Sequence, residues 1–155
     1  MTPEAEMVWD ALNFRTPAML AAVDDLTEDE CRWQPPGGAN PIAWMLWHIP
    51  EVEDNWIRDR LYGLSKRYPF GASVRSMPAE KYPSKREVIE YFREVRALTR
   101  ERLAGTTAAS FATSIQDDRY GVLTVRQVWA GVVTSAAWHG GQIVYAKRLL
   151  PPRGI

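Results

Sequence analysis

Two tetrapeptides constrain the architecture of this chain more than any other feature. Ser84-Lys85-Arg86-Glu87 and Thr124-Val125-Arg126-Gln127 each place a hydroxyl three residues before a Glu or Gln, the capping box that satisfies free amides at a helix start. Each box opens a run of helical character. The first carries Val88, Phe92 and Val95 on one face and stops at Gly105; the second is apolar from Val128 through Leu149 and ends at Pro151-Pro152. Two further helices follow from the same logic. Thr2 caps a segment over about Pro3 to Asp25 with Val8, Leu12, Met19 and Val23 as its stripe and a kink expected at Pro17. Asn40-Pro41-Ile42-Ala43-Trp44 begins another, with Asn40 as the expected cap, a bend at Pro50 and an end near Gly63. Four such segments in 155 residues point to an all-α fold, a four-helix bundle forming one domain over residues 1–155. Two long connections, about Ser65 to Pro83 and Thr106 to Leu123, join them either as surface loops with a turn or two of helix or as a substrate lid.

Composition narrows the partners. The 19 basic and 19 acidic residues cancel, so no net field favours nucleic acid or an anionic membrane. Apolar runs fall short of the roughly 20 residues a spanning helix needs, the longest being broken by His139. A single cysteine, Cys31, allows no intrachain disulfide, and the start of the chain lacks a basic and apolar leader; a soluble, cytoplasmic protein is expected. Lys66, Arg67, Arg75 and Lys81 make the first long loop basic, which suits either plain solvation or an anionic small-molecule substrate.

The chemistry concentrates on the only two histidines, His48 and His139, each in a mainly apolar helix beside tryptophans. Trp44, His48 and Trp56 share one helix face at spacings of four and eight. Taken singly, a histidine in such a setting is a hydrogen-bonded core residue or a functional imidazole, and periodicity does not choose. Trp44, Trp47, Trp56, Trp138 and Tyr145 either line a pocket between helices or fill the core. Ser135 and His139 stand one turn apart, the spacing of a nucleophile beside a base, although a mid-helix serine has no spare amides for an oxyanion and serves equally as a small packing residue. Gly140 and Gly141 weaken a helix by roughly 1 kcal/mol each, a cost that close approach of another helix or of a ligand would explain, tight packing being the simpler reason.

The run from Asn40 through Trp44 to His48, followed by Glu51-Val52-Glu53-Asp54, resembles the second helix of the DinB/YfiT-like family. Trp138-His139-Gly140-Gly141-Gln142-Ile143 is similar to that family's fourth-helix motif, and Leu26-Thr27-Glu28-Asp29-Glu30 with Trp33-Gln34-Pro35-Pro36-Gly37 to its connector. The resemblance implies a helical bundle in which one histidine of the second helix and an H-x-x-x-H pair of the fourth hold a divalent metal, zinc or nickel. Residues four apart on a helix project to one side, so a pair can reach one ion, and three protein ligands leave a fourth position for water or substrate. Carried onto this chain, the pattern puts His48 and His139 at two ligand positions and Ser135 at the third, where a neutral hydroxyl is a poor substitute. Glu51, one turn from His48, is the expected replacement, with Gln142 as another oxygen donor.

What the resemblance implies for function is a metal-dependent enzyme, either a transferase using a low-molecular-weight thiol such as mycothiol or bacillithiol, or a hydrolase working through metal-bound water. The opposing expectation is a non-catalytic binding or structural protein that has lost the metal site, for which Ser135 is the main argument. A homodimer through a helix face is compatible with the sequence.

Overall fold

The computed structural model describes residues 1–153, and it is mainly helical. In chain order the elements are α1 (Pro3–Asn13), α2 (Thr16–Asp24), α3 (Glu28–Arg32), α4 (Ile42–Trp56), α5 (Lys85–Ala104), α6 (Ala108–Ala112), β1 (Ser114–Asp117), β2 (Gly121–Thr124) and α7 (Val125–Leu149). The broken pair α1 and α2 with α4, α5 and α7 make the expected four-helix bundle. Among the described residues no helix is long and apolar enough to cross a membrane.

Both capping boxes form. Ser84 and Thr124 accept from the amides of Glu87 and Gln127, whose side chains accept in turn from the cap amides. Thr2 caps α1 through the amide of Ala5 at 3.3 Å. The start of α4 departs from the expectation, because the residue before its first turn is Pro41, with extended backbone and no side-chain cap, and Asn40 lies outside. Pro50 remains inside a continuous α4. A π-helical turn over Ile57–Leu61 extends that helix, and Gly63, at φ 60°, ends it where the amides of Gly63 and Leu64 bond back to Asp59 and Arg58.

The first helix breaks two residues ahead of Pro17, between Asn13 and Thr16, rather than kinking at the proline. Pro17 has no amide hydrogen and settles in the first turn of α2, where none is needed. The carbonyl of Leu12, left at the break, accepts from Thr16 Oγ1 and from Arg96 Nη1, both at 2.7 Å.

The second long connection holds a short helix, α6, as expected of it, and beyond the expectation an antiparallel hairpin with Ile115 opposite Leu123 and Asp117 opposite Gly121. Asp117 Oδ1 accepts from the amides of Arg119 and Tyr120 at 2.9 and 2.8 Å, Gly121 takes φ 73°, and Arg60 pairs with Asp117 to tie the hairpin to the π turn. Strands of four residues are too short for alternation to announce them.

One apolar cluster joins α2, α4, α5 and α7 with Val74 of the first loop; a second joins α1, Leu103, Phe111, Trp129 and Val132. Between α4 and α5 the core is polar. Glu53 is 1% exposed and Arg96 7%. Thr99 donates to Glu53 Oε1 at 2.6 Å, and Arg96 Nη2 lies 2.9 Å from Glu53 Oε2, close but outside hydrogen-bond alignment. Removing one partner leaves the other charge buried. Arg96→Ala is therefore expected to cost about 3–5 kcal/mol in urea unfolding, whereas the double replacement Glu53→Met with Arg96→Met costs much less than Arg96→Ala alone.

Candidate functional site

α4 and α7 pack along much of their length and bring the two histidines together. The ring centroids of His48 and His139 are 4.9 Å apart with planes at 86°. Trp44, one turn before His48, stacks on it at 4.4 Å and meets His139 edge-on at 5.8 Å. The third neighbour comes from the first loop. Arg75 places Nη2 at 3.4 Å from His48 Nε2, with its guanidinium carbon 5.6 Å from the Trp44 ring.

This contact fixes a tautomer. A guanidinium only donates, so His48 Nε2 accepts and the ring proton sits on Nδ1, which is buried without a partner. His139 Nδ1 lies 2.8 Å from Gln142 Oε1; with that oxygen accepting, His139 carries its proton on Nδ1 and keeps a lone pair on Nε2. Burial pushes the His48 imidazole down to about 3, helped by His139 and Arg75. Burial also lowers His139, with Arg75 acting in the same direction and the Gln142 bond opposing. Both rings are therefore neutral near pH 7.

The loop bearing Arg75 is held by one face of α4. Glu51 accepts from Ser73 Oγ at 2.6 Å and from the Val74 amide at 2.9 Å, one bond on each oxygen. Burial raises the Glu51 carboxyl against those two bonds. Asn55 exchanges two hydrogen bonds with the backbone of Arg67, and Arg67 Nε donates to Asp54 at 2.8 Å. Val74 inserts into the core at 1% exposure. The basic loop is thus fastened, with Arg67 engaged by α4 and α5 and Arg75 delivered to the histidines.

The expected aromatic pocket is not assembled. Trp138 and Tyr145 point to solvent, at 66% and 62% exposure. Trp47 is fully buried between Phe70 and Tyr82. Trp56 belongs to the second core, beneath Arg60. Among the described residues Trp44 is the one of these five aromatics in ring contact with the histidines; a shared helix face does not say which neighbour covers it. Ser135 is half-buried and no hydrogen bond joins its hydroxyl to His139, whose Nδ1 turns to Gln142 instead. The tight-packing account of the glycines also changes: a Cβ on Gly140 would make ordinary contact with Met19 at 3.5 Å, and one on Gly141 would meet nothing within 4 Å.

A sequence model described as the DinB superfamily matches residues 11–143. The chain belongs to the DinB superfamily. A crystal structure of a conserved protein from Enterococcus faecalis, 18% identical, superposes with a TM-score of 0.77 over 94% of this chain and 95% of that one, a likeness of fold. No match to a curated protein reaches significance.

For this DinB-superfamily chain the three-histidine metal centre implied by the resemblance finds two imidazoles. Ser135 offers a neutral hydroxyl, both oxygens of Glu51 already accept bonds, Gln142 is turned to His139, and a permanent cation lies on His48 Nε2. Among the described residues no group of three His, Cys, Asp or Glu side chains stands ready to hold a metal ion. The donor set does not fit. Arg75 is the residue that sequence reasoning placed only in a basic loop; no spacing rule connects it to a histidine 27 positions earlier.

The buried neutral rings predict an acid-side loss of stability. Unfolded histidine binds its proton near pH 6.5, whereas folded His48 does so only near 3, so between those values the unfolded state holds more protons and stability falls as pH falls. Urea midpoints measured from pH 7 to pH 4 should decline, and His48→Gln should flatten the decline by up to about 1.4 kcal/mol per pH unit.

Proposed function

We propose that this chain is a metal-independent, non-catalytic binding member of the DinB superfamily, in which the Arg75 guanidinium takes the place of a metal ion beside His48 and His139. The observation that carries this reading is the 3.4 Å contact from Arg75 Nη2 to His48 Nε2, the atom that would otherwise face the shared ion. A fixed positive charge there opposes a divalent cation by Coulomb repulsion in a partly desolvated setting. It leaves His48 neutral and bonded, and leaves the nitrogen of His139 that faces away from Gln142 as the remaining acceptor. Trp44 and the loop residues around Arg75 would then frame a small-molecule binding surface with an aromatic wall and a cationic edge.

A second reading, a metal-dependent transferase or hydrolase, draws on the ring separation. Two imidazoles bound to one tetrahedral ion through nitrogens at about 2.0–2.1 Å have centroids roughly 5 Å apart, and the 4.9 Å between His48 and His139 is close to that. When bound, such an ion would supply Lewis-acid activation of a water or thiol. His48 and His139 would hold it, and Arg75 would have to leave.

Metal analysis of protein purified without a histidine tag, followed by zinc titration in a calorimeter, separates the two. The expected result is well under 0.1 equivalent of metal as purified and binding no tighter than about 10 μM. The paired change Ser135→His with Arg75→Ala, which restores three imidazoles and removes the cation, is expected to tighten zinc binding by about 100-fold or more. Near-stoichiometric metal in the wild type that disappears in His48→Ala would overturn the metal-independent reading.

A further inference from the structure

A cavity of about 470 Å³ opens between the α1–α2 break, α4, α5 and α7. This is within the range of small-molecule sites, about 300–1,000 Å³. Neither histidine lines it; their chain neighbours Ile49 and Gly140 do. Its floor is apolar, formed by Ile49 and Phe92 with Leu12 and Met19 at the side.

Three observations point to an occupant. Gly140 and Gly141 lie inside α7, where glycine weakens a helix, yet an added methyl on Gly141 would meet nothing within 4 Å and one on Gly140 would make only ordinary contact. The protein's own packing does not require either residue, and both line the cavity. Arg96 also lines it; this charged side chain is 7% exposed and its Nε is buried without a partner. At the mouth stands Arg15, exposed at the helix break with its guanidinium carbon over the Phe14 ring at 5.5 Å. Among the described residues no aspartate or glutamate lines the cavity. The lining is therefore an apolar chamber with a cation, Arg15, at its edge and Arg96, held by Leu12 and Glu53, in its wall.

We propose that this cavity binds a small amphiphile with an apolar body and one anionic head, a fatty or arylalkanoic carboxylate, whose tail lies along Gly140 and Gly141 and whose carboxylate meets Arg15. The apolar body displaces water from Ile49, Phe92 and Met19, and the planar guanidinium suits a carboxylate head. Arg15 stands at the break between α1 and α2 and lines the cavity there. This assignment does not depend on whether the His48 and His139 pair holds a metal.

The test is calorimetric titration of the full chain with decanoate below its micelle concentration, and with decyltrimethylammonium, which has the same tail and the opposite head. One saturable decanoate site is expected, with the cationic amphiphile binding about ten-fold more weakly or worse. Gly141→Leu, which grows a side chain into open space and raises helix propensity, is expected to weaken decanoate about ten-fold or more while helical circular dichroism and the thermal midpoint are retained. Arg15→Ala is expected to weaken decanoate several-fold and leave the cationic probe unchanged, and His48→Ala to leave decanoate binding intact. Absence of saturable decanoate binding, equal affinity for the two heads, or full affinity in folded Gly141→Leu would overturn the proposal.

Discussion

The polar side of α4 is the constraint on which the rest of the structure depends. Glu51, Glu53, Asp54 and Asn55 are all buried, in a helix whose other sides are covered by apolar core and by the histidine cluster. Buried polar groups are costly unless answered, and here each of the four side chains has at least one hydrogen-bond partner. Glu51 holds Ser73 and Val74, Glu53 holds Thr99 and Arg96, Asp54 holds Arg67, and Asn55 pairs with the backbone at Arg67. These contacts fasten α5 and the first long loop to the same helix. A segment that composition describes as a solvated basic connection is thereby given a fixed path.

That path brings Arg75 to the histidines. The same helix therefore supplies His48 on one face and, through Glu51, the clamp that positions the guanidinium against it. Were Glu51 a free carboxylate, the nearby imidazoles and a vacant acid would suggest a two-histidine, one-carboxylate site. With both of its oxygens accepting bonds from the loop, the cluster is instead two neutral rings, a tryptophan face and a permanent cation. The chain has the helical fold of the superfamily, with Ser135 in α7 where the resemblance implies a third histidine and Arg75 of the loop beside His48.

Arg96 connects the polar seam to the break between α1 and α2. It reaches from Glu53 to the carbonyl of Leu12, exposed by the break between α1 and α2, and so stabilises the irregularity that opens the cavity. The glycines of α7 face that space from the opposite side. The cavity thus arises from a helix break, a buried cation and two missing side chains, contributed by three separate segments.

Much of the bundle was legible in the residues, because its signals are local. The hydroxyl-to-Glu or hydroxyl-to-Gln spacing of the capping boxes, the stripe through Val88, Phe92 and Val95, and the glycine ending α4 act within one or two helical turns, where sequence distance and spatial distance nearly coincide. The motifs around His48 and His139 likewise marked the two imidazoles that the packing of α4 on α7 brings side by side. Helical period could not tell that Trp138 and Tyr145 face solvent while Trp47 is sealed in the core, since the period assigns faces and not what covers them. Nor could it show that Glu51 grips a loop 22 residues ahead or that Arg75 returns to His48 across 27. Those pairings were decided only in three dimensions, because a buried charge on α4 is met by whichever chain segment the completed fold carries past it.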